Sequence, residues 1–305
     1  MYSKILVPLD GSKTAENVLP FARCFARSLQ IPVELLGVVD LAEMARRHVA
    51  ADQASMVRTL VDDATRRFGD YLERVAKNFP IGKVQCTVRR GNAAEAIIES
   101  AAAEKQTLIA MATHGRSGLD RWLLGSVAEK VLRAASNPTL VVRAKEEKNP
   151  AWEMATLKSV VVPLDGSELA ENVLPSVEEL AKKLDLEVTL LGVYGVPYGA
   201  SSAGEGFYTT TQIKAFIGGL RAETLAYLEK KAAELKSKGL DKVSFVAKEG
   251  LAADEIISTA RRSPDNLIAM CTHGRAGVTR WMLGSVTETV VRHSGGPVLV
   301  LRSGS

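Results

Sequence analysis

Two segments of this chain repeat each other closely, and this duplication constrains the fold more than any other feature. Residues 5–20 read ILVPLDGSKTAENVLP, and residues 160–175 read VVVPLDGSELAENVLP. A second repeated pair lies near the end of each half, with ATHGRSGLDRWLLGSVAEKVLR at 112–133 and CTHGRAGVTRWMLGSVTETVVR at 271–292. The 305 residues therefore contain two copies of one domain of ordinary size.

The spacing of the repeats shows where the two copies differ in length. The first repeated pair is offset by 155 residues and the second by 159. The additional residues fall in the middle of the second half, where residues 195–206 read GVPYGASSAGEG and predict a loop. A polar segment separates the copies. We predict a first domain at residues 1–146, a linker at 147–158 and a second domain at 159–305.

Short apolar runs alternate with longer amphipathic segments in each half. In the first half we predict strands at 4–9, 33–39, 83–90, 107–113 and 139–143, and helices at 14–29, 51–78, 93–104 and 126–135; the second half repeats this order. Near-continuous apolar strands separated by helices indicate a parallel sheet covered on both faces. The predicted fold class is α/β, with two tandem doubly wound domains, each a five-stranded parallel sheet with helices on both faces. Ligands of such folds bind at the carboxyl ends of the strands.

Composition excludes several classes of function. The formal net charge is only +4 and no long basic run occurs, so nothing predicts a nucleic-acid partner. No apolar run approaches the roughly 18 residues of a membrane helix, and the opening MYSKILVPLD reads as a strand rather than a signal peptide. Three widely spaced cysteines form no metal-binding motif and suit a reducing compartment. We therefore expect a cytoplasmic protein without a membrane or metal site.

The first chemical feature is Asp-Gly-Ser at the end of the first strand of each half. Asp10, Gly11 and Ser12 recur as Asp165, Gly166 and Ser167. An aspartate in this position can accept hydrogen bonds from a ligand amine or hydroxyl. It can equally cap the helix that follows. The sequence alone leaves both interpretations open.

The second feature joins the fourth strand to the last helix. Gly115 and Gly274 follow this strand in a Thr-His-Gly turn. After nine intervening residues, Gly125-Ser126 and Gly284-Ser285 precede the helix. Free amides and the dipole at a helix N-terminus attract phosphate. A connecting loop of this length can cover a ligand. The serines could also be ordinary N-caps, and this alternative stays open.

Together these motifs resemble the universal stress protein family over nearly the whole chain. Nucleotide-binding members of that family carry G-x-x-G, nine residues and then G-[S/T], with an Asp after the first strand. The resemblance implies an adenine nucleotide alpha hydrolase-like fold that binds ATP, or ADP or AMP, with Mg as an optional companion of the nucleotide. The residues that it implies are Pro8, Asp10, Val38, Met111, Ala112, Gly115, Gly125, Ser126 and Val127 in the first half. In the second half they are Pro163, Asp165, Val193, Met270, Cys271, Gly274, Gly284, Ser285 and Val286.

The chain departs from the family pattern at one position in each half. The first glycine of the pattern is Ala112 in one copy and Cys271 in the other. Each adds a side chain where the ribose or phosphate would approach, and cysteine adds more bulk than alanine. We therefore expect two sites of unequal affinity, the first being the better nucleotide site.

Three functions fit these observations. The leading hypothesis is a nucleotide-binding protein that acts in stress sensing or signalling, and the alternatives are an interaction module without nucleotide and a slow ATP hydrolase. No P-loop or nucleophile elbow is present, and no paired acid and base is visible, so we expect no catalytic residues and at most weak ATPase activity. We also predict that the halves pair within the chain through their fifth strands, and that whole chains can form a homodimer.

Overall fold

The computed structural model describes residues 2–40, 54–79, 83–113, 124–143, 153–195, 210–272 and 283–302. The chain divides into two compact units, and the main boundary between them lies between Thr156 and Leu157. No helix in the described part of the chain is both long and apolar enough to cross a membrane.

The first unit alternates strands and helices around a parallel sheet. Its strands are β1 (Lys4–Leu9), β2 (Val33–Val39), β3 (Val84–Arg90), β4 (Thr107–Ala112) and β5 (Thr139–Val142). Its α-helices are α1 (Leu19–Leu29), α2 (Ala54–Ala76), α3 (Ala93–Ala102) and α4 (Ser126–Ala134). The strands lie in the order β3-β2-β1-β4-β5, and each neighbouring pair is parallel.

The second unit repeats this arrangement. Its strands are β6 (Ser159–Pro163), β7 (Glu187–Tyr194), β8 (Val243–Glu249), β9 (Asn266–Cys271) and β10 (Val298–Leu301). Its helices are α5 (Glu168–Glu171), α6 (Leu174–Leu184), α7 (Thr210–Ser237), α8 (Ala252–Ala260) and α9 (Ser285–His293). The order β10-β9-β6-β7-β8 is again parallel throughout, so the predicted fold class is confirmed.

One predicted helix, residues 14–29, is divided in the structure. A short 3-10 turn at Ala15–Val18 precedes α1, and Pro20 lies in the first turn of that helix. Proline lacks an N–H and is accommodated in a first turn, where no intrahelical hydrogen bond is lost. The second unit likewise places the four-residue α5 before α6. The chain thus changes direction directly after the Asp-Gly-Ser segment.

The core of each unit lies around its central strands. Every residue of β4, β5, β9 and β10 is buried, as expected for strands covered on both faces. The long helices pack closely on the second strand of each sheet. A methyl group at Gly37 would overlap the Phe68 ring of α2, and one at Gly192 would overlap the Thr224 side chain of α7. These glycines therefore let the long helices approach the sheet.

Candidate functional site

The sheet order creates a crevice at the carboxyl ends of the first and fourth strands of each unit. In the first unit β1 lies between β2 and β4, so the connections after β1 and β4 leave in opposite directions. Such a switch point is where open α/β sheets bind ligands. The described residues that the sequence singled out lie in the strands or at this edge: Pro8, Asp10, Val38, Met111, Ala112, Gly125, Ser126 and Val127, with Pro163, Asp165, Val193, Met270, Cys271, Gly284, Ser285 and Val286. Gly115 and Gly274 lie outside the described residues.

The Asp-Gly-Ser segments form the same tight turn in both units. The Ser12 amide and hydroxyl donate to Asp10 Oδ1 at 2.9 and 2.6 Å. The equivalent bonds from Ser167 to Asp165 Oδ1 measure 3.0 and 2.6 Å. The intervening Gly11 has a φ of 80°, a left-handed conformation in which a side chain is strained. The turn thus requires its glycine and holds the aspartate at the end of the strand.

In the second unit the helix N-cap is Ser167, so the interpretation of Asp165 as the cap is wrong. In the first unit the N-cap of the 3-10 turn is Thr14, which makes no side-chain cap bond, so Asp10 is not the cap there either. Ser12 Oγ accepts a hydrogen bond from the Ala15 amide at 3.1 Å, and Ser167 Oγ accepts one from Ala170 at 3.2 Å. Each aspartate instead accepts from its serine.

The last helix of each unit begins directly at the end of the fourth strand. The Gly125 amide donates to the Thr113 carbonyl at 2.8 Å, and the Gly284 amide donates to the Thr272 carbonyl at 3.0 Å. These glycines are the N-cap residues, and no side chain hydrogen-bonds across either cap. Ser126 and Ser285 are the first helical residues, and the N-cap interpretation of these serines is wrong. The first amides of α4 and α9 thus face the crevice edge without a capping side chain.

Packing also explains the glycine that begins the last helix. A Cβ atom at Gly284 would collide with the Thr272 carbonyl oxygen, so no side chain fits there. The Thr287 hydroxyl then donates to the Cys271 and Thr272 carbonyls at 3.1 and 3.2 Å. Ala128 occupies the matching position of the first unit and offers no such hydroxyl. The helix start is therefore held more firmly to its strand in the second unit.

Ala112 and Cys271, where the chain departs from the family pattern, are the last residues of β4 and β9. Ala112 is 8% exposed and Cys271 is 6% exposed. Burial, as the largest cause, raises the pKa of the Cys271 thiol to about 12, while a hydrogen bond with the Val173 backbone lowers it and the Asp165 charge raises it. Cys271 and Asp165 are thus close enough to interact electrostatically. Cys271 places a thiol at the end of the fourth strand, where the first unit has only the Ala112 methyl group.

Sequence reasoning missed a pair of residues beside each turn. The Tyr71 hydroxyl on α2 donates to Glu16 Oε1 at 2.9 Å, and Tyr227 on α7 donates to Glu171 Oε1 at the same distance. The pKa of Tyr227 is raised, first by burial and then by its bond with Glu171 and by the Asp165 charge. The glutamate and the tyrosine both lie in repeated segments, since AENVLP and Tyr-Leu-Glu occur in each half. That repetition was a signal available from the sequence.

Among the described residues, the crevice edge holds no cluster of metal-ligating side chains. Within residues 2–40, 54–79, 83–113, 124–143, 153–195, 210–272 and 283–302, no group of three or more His, Cys, Asp or Glu residues could hold a metal ion. The donors at the crevice edge are instead backbone amides and hydroxyls, which suit an anionic ligand.

Known proteins resemble this chain in sequence along its whole length. The model of the universal stress protein family matches residues 1–143 and 156–302. Universal stress protein MJ0531 of Methanocaldococcus jannaschii is 30% identical over 148 residues, which is 48% of this chain and 86% of that protein. A universal stress protein of Mycolicibacterium smegmatis is 23% identical over 303 residues, covering 98% of this chain and 96% of that one.

A solved structure shows the same fold. The crystal structure of a universal stress protein from Archaeoglobus fulgidus superposes with a TM-score of 0.71 at 20% identity, covering 99% of this chain and 98% of that one. The two family segments, the repeated strand-end motifs and the doubly wound units agree with one another. The chain belongs to the universal stress protein family, as a member with two tandem domains.

Proposed function

We propose that the chain binds ATP, or the related nucleotides ADP or AMP, at the carboxyl edge of the sheet, and that this binding serves stress sensing or signalling. The observation that carries the proposal is the pairing of an aspartate turn after the first strand with a helix N-terminus that no side chain caps after the fourth. The second unit repeats this pairing, and its matching hydrogen bonds differ by at most 0.2 Å.

The two sides of the crevice suit the two ends of a nucleotide. The first amides of α4, at Ser126 and Val127, present N–H groups and the positive end of the helix dipole to phosphate oxygens. On the other side, Asp10 ends β1 and Val38 lies in the neighbouring β2. The carboxylate can accept hydrogen bonds from the exocyclic amine of the base or from the ribose. The apolar side chain can cover the base. The second unit would use Ser285, Val286, Asp165 and Val193 in the same roles.

Binding can become a signal if it changes which conformation of the protein is populated. A nucleotide that contacts both sides of the crevice favours the conformation in which both are correctly placed. A partner that recognises this conformation would then bind more tightly when nucleotide is present. This proposal requires no chemical step, which agrees with a site built from amides, hydroxyls and one carboxylate.

Isothermal titration calorimetry of the full chain with ATP, ADP, AMP and GTP tests nucleotide binding. We expect saturable binding of adenine nucleotides and weaker binding of GTP. The double variant Asp10→Ala with Asp165→Ala should weaken binding by about tenfold or more at each site. Asp63→Ala is the matched control, because this carboxylate forms ion pairs with the neighbouring Arg66 and Arg67 on α2. Absence of adenine-nucleotide binding in the parent protein would refute the proposal.

A second function is favoured for the second unit alone. The buried Cys271 side chain hydrogen-bonds with the Val173 backbone and interacts electrostatically with Asp165, at the position where the family pattern has glycine. This observation supports a unit that serves as an interaction module without nucleotide. Titration of the Asp165→Ala variant separates the cases. If the second unit binds no nucleotide, ATP binding stays as in the parent, whereas a nucleotide site in the second unit is weakened.

A further inference from the structure

Two hydrogen bonds converge on a single oxygen of the site aspartate. The Ser12 amide and hydroxyl both reach Asp10 Oδ1, at 2.9 and 2.6 Å. Two donors on one oxygen restrict rotation of the carboxylate plane. Hydrogen bonds to a charged group are also stronger than those between neutral groups. The direction in which Asp10 faces a ligand is therefore set by Ser12.

The same hydroxyl also begins the segment that follows. Ser12 Oγ accepts from the Ala15 amide at 3.1 Å, so one oxygen atom links the aspartate to the start of the 3-10 turn. The next residue of that turn, Glu16, accepts a hydrogen bond from Tyr71 of α2 at 2.9 Å. We call Asp10, Ser12, Glu16 and Tyr71 the serine relay of the first unit.

The second unit contains the same relay, made of Asp165, Ser167, Glu171 and Tyr227. Its four bonds measure 3.0, 2.6, 3.2 and 2.9 Å, each within 0.1 Å of its counterpart. The long helices that supply the tyrosines differ in most other positions, so the shared geometry belongs to the relay residues themselves. Lys231 adds an ion pair to Glu171 at 2.8 Å, where the first unit has Val75.

We infer that Ser12 and Ser167 are positioning residues for nucleotide binding, which orient the site aspartate and tie it to the long helix through the Glu–Tyr pair. This inference rests on the proposed function. Neither serine contacts the nucleotide in this role; each acts through its aspartate. A simple helix-capping role would instead stabilise the fold and affect affinity independently of the aspartate.

A double-mutant cycle in the full-length chain separates these two roles. In an Asp165→Ala background, in which the second site is weakened, the ATP affinity of the first site is measured by calorimetry for Ser12→Ala, Asp10→Ala and the combined variant. We expect Ser12→Ala to weaken binding by about tenfold, and to cause no further loss once Asp10 is absent. Ser12→Thr keeps a hydroxyl and should retain affinity within about twofold. Tyr71→Phe should cause a smaller loss, about threefold, because it removes only the outer bond.

The outcomes distinguish the failure of the inference from that of the proposed function. If the parent binds no adenine nucleotide, both are refuted. If the parent binds but Ser12→Ala binds equally well, or weakens binding by the same factor with and without Asp10, only the positioning role is refuted. Thermal unfolding of each variant is the accompanying control. An Ser12→Thr variant that folds normally but binds as poorly as Ser12→Ala would also contradict the inference.

Discussion

The Cys271 side chain shows how one residue can be altered by its surroundings. Burial raises its thiol pKa from 9.0 to about 12, and the nearby Asp165 charge adds to this effect. Only the thiolate is a nucleophile, so its reactivity below pH 9 should be reduced by about a thousandfold relative to an unperturbed cysteine. We expect iodoacetamide to modify Cys271 rapidly only after denaturation, as measured by peptide mass spectrometry.

The half-exposed Cys86 provides an internal comparison in the same experiment. Its pKa is raised to about 11, by burial first and then by Glu73. Cys86 should therefore react more slowly than a free thiol but faster than Cys271. Equal and rapid modification of both residues in the native protein would show that Cys271 is not buried in solution.

A pair of glycines tests the close approach of the long helix to the sheet. Gly37→Ala adds a methyl group against the Phe68 ring and should lower the free energy of unfolding by about 1–3 kcal/mol. Gly69→Ala is the matched control, because no atom lies within 4 Å of the added carbon. That change in mid-helix should stabilise the protein by roughly 0.5–1 kcal/mol. Denaturant unfolding measures both, and the same sign for both variants would contradict this packing.

Sequence reasoning predicted which segments lie at the strand ends but misassigned individual capping residues. The Asp-Gly-Ser motif predicted a functional turn, yet whether Asp165 or Ser167 caps the next segment depends on backbone angles that its residue types do not specify. Ser126 looked like an N-cap for the same reason, whereas the cap is Gly125. The requirement for glycine at Gly284 comes from the Thr272 carbonyl, which only the folded backbone brings close. Long-range contacts of this kind leave no pattern in one sequence.

At the scale of elements, the two units differ in how one equivalent helix begins. Asn92 caps α3, since its side chain accepts from the amides of Ala94 and Glu95. The matching residue before α8 is Leu251, which is 56% exposed and has extended backbone angles but no capping group. The second unit therefore lacks a stabilising cap at a position whose backbone is already suited to one.

Exchanging these cap residues should shift stability in opposite directions. Asn92→Leu should destabilise the protein by about 1 kcal/mol, because two helix amides lose their acceptor. Leu251→Asn should stabilise it by about 0.5–1 kcal/mol and also removes an exposed apolar side chain. Differential scanning calorimetry of each variant checks the pair. A Leu251→Asn variant that lowers the melting temperature would show that Leu251 has a packing role.

The order of the helices and strands was predictable, because it follows from the spacing of apolar residues and from the internal sequence repeat. The strands β1, β2, β4 and β5 were predicted to within two residues, since near-continuous apolar runs are distinctive. The start of the helix expected at 14–29 was predicted wrongly, because the amphipathic spacing continues through the 3-10 turn at Ala15–Val18. A turn of that kind is set by Ser12 and by Pro20, not by the distribution of apolar residues.

For the whole molecule, duplication has produced two strand-end clusters that are alike in backbone and differ in the side chain at the end of the fourth strand. The turns and helix starts agree closely between units. At the end of the fourth strand, however, the second unit has the buried Cys271 side chain, where the first unit has only the Ala112 methyl group. A ligand that touches this strand end would meet more bulk in the second unit. Tandem copies can therefore share one fold while differing in affinity.

Reciprocal exchange of these residues tests that difference. We expect calorimetry of the parent with ATP to show two affinities that differ by about tenfold, because additional bulk in a close-fitting site costs about 1–3 kcal/mol. Ala112→Cys should weaken the tighter site, and Cys271→Ala should strengthen the weaker one until the two become similar. Two indistinguishable affinities in the parent, or exchanges without effect on either site, would place the difference between the copies elsewhere. If Cys271→Ala alone creates a second site where the parent has one, the thiol is what excludes nucleotide from the second unit.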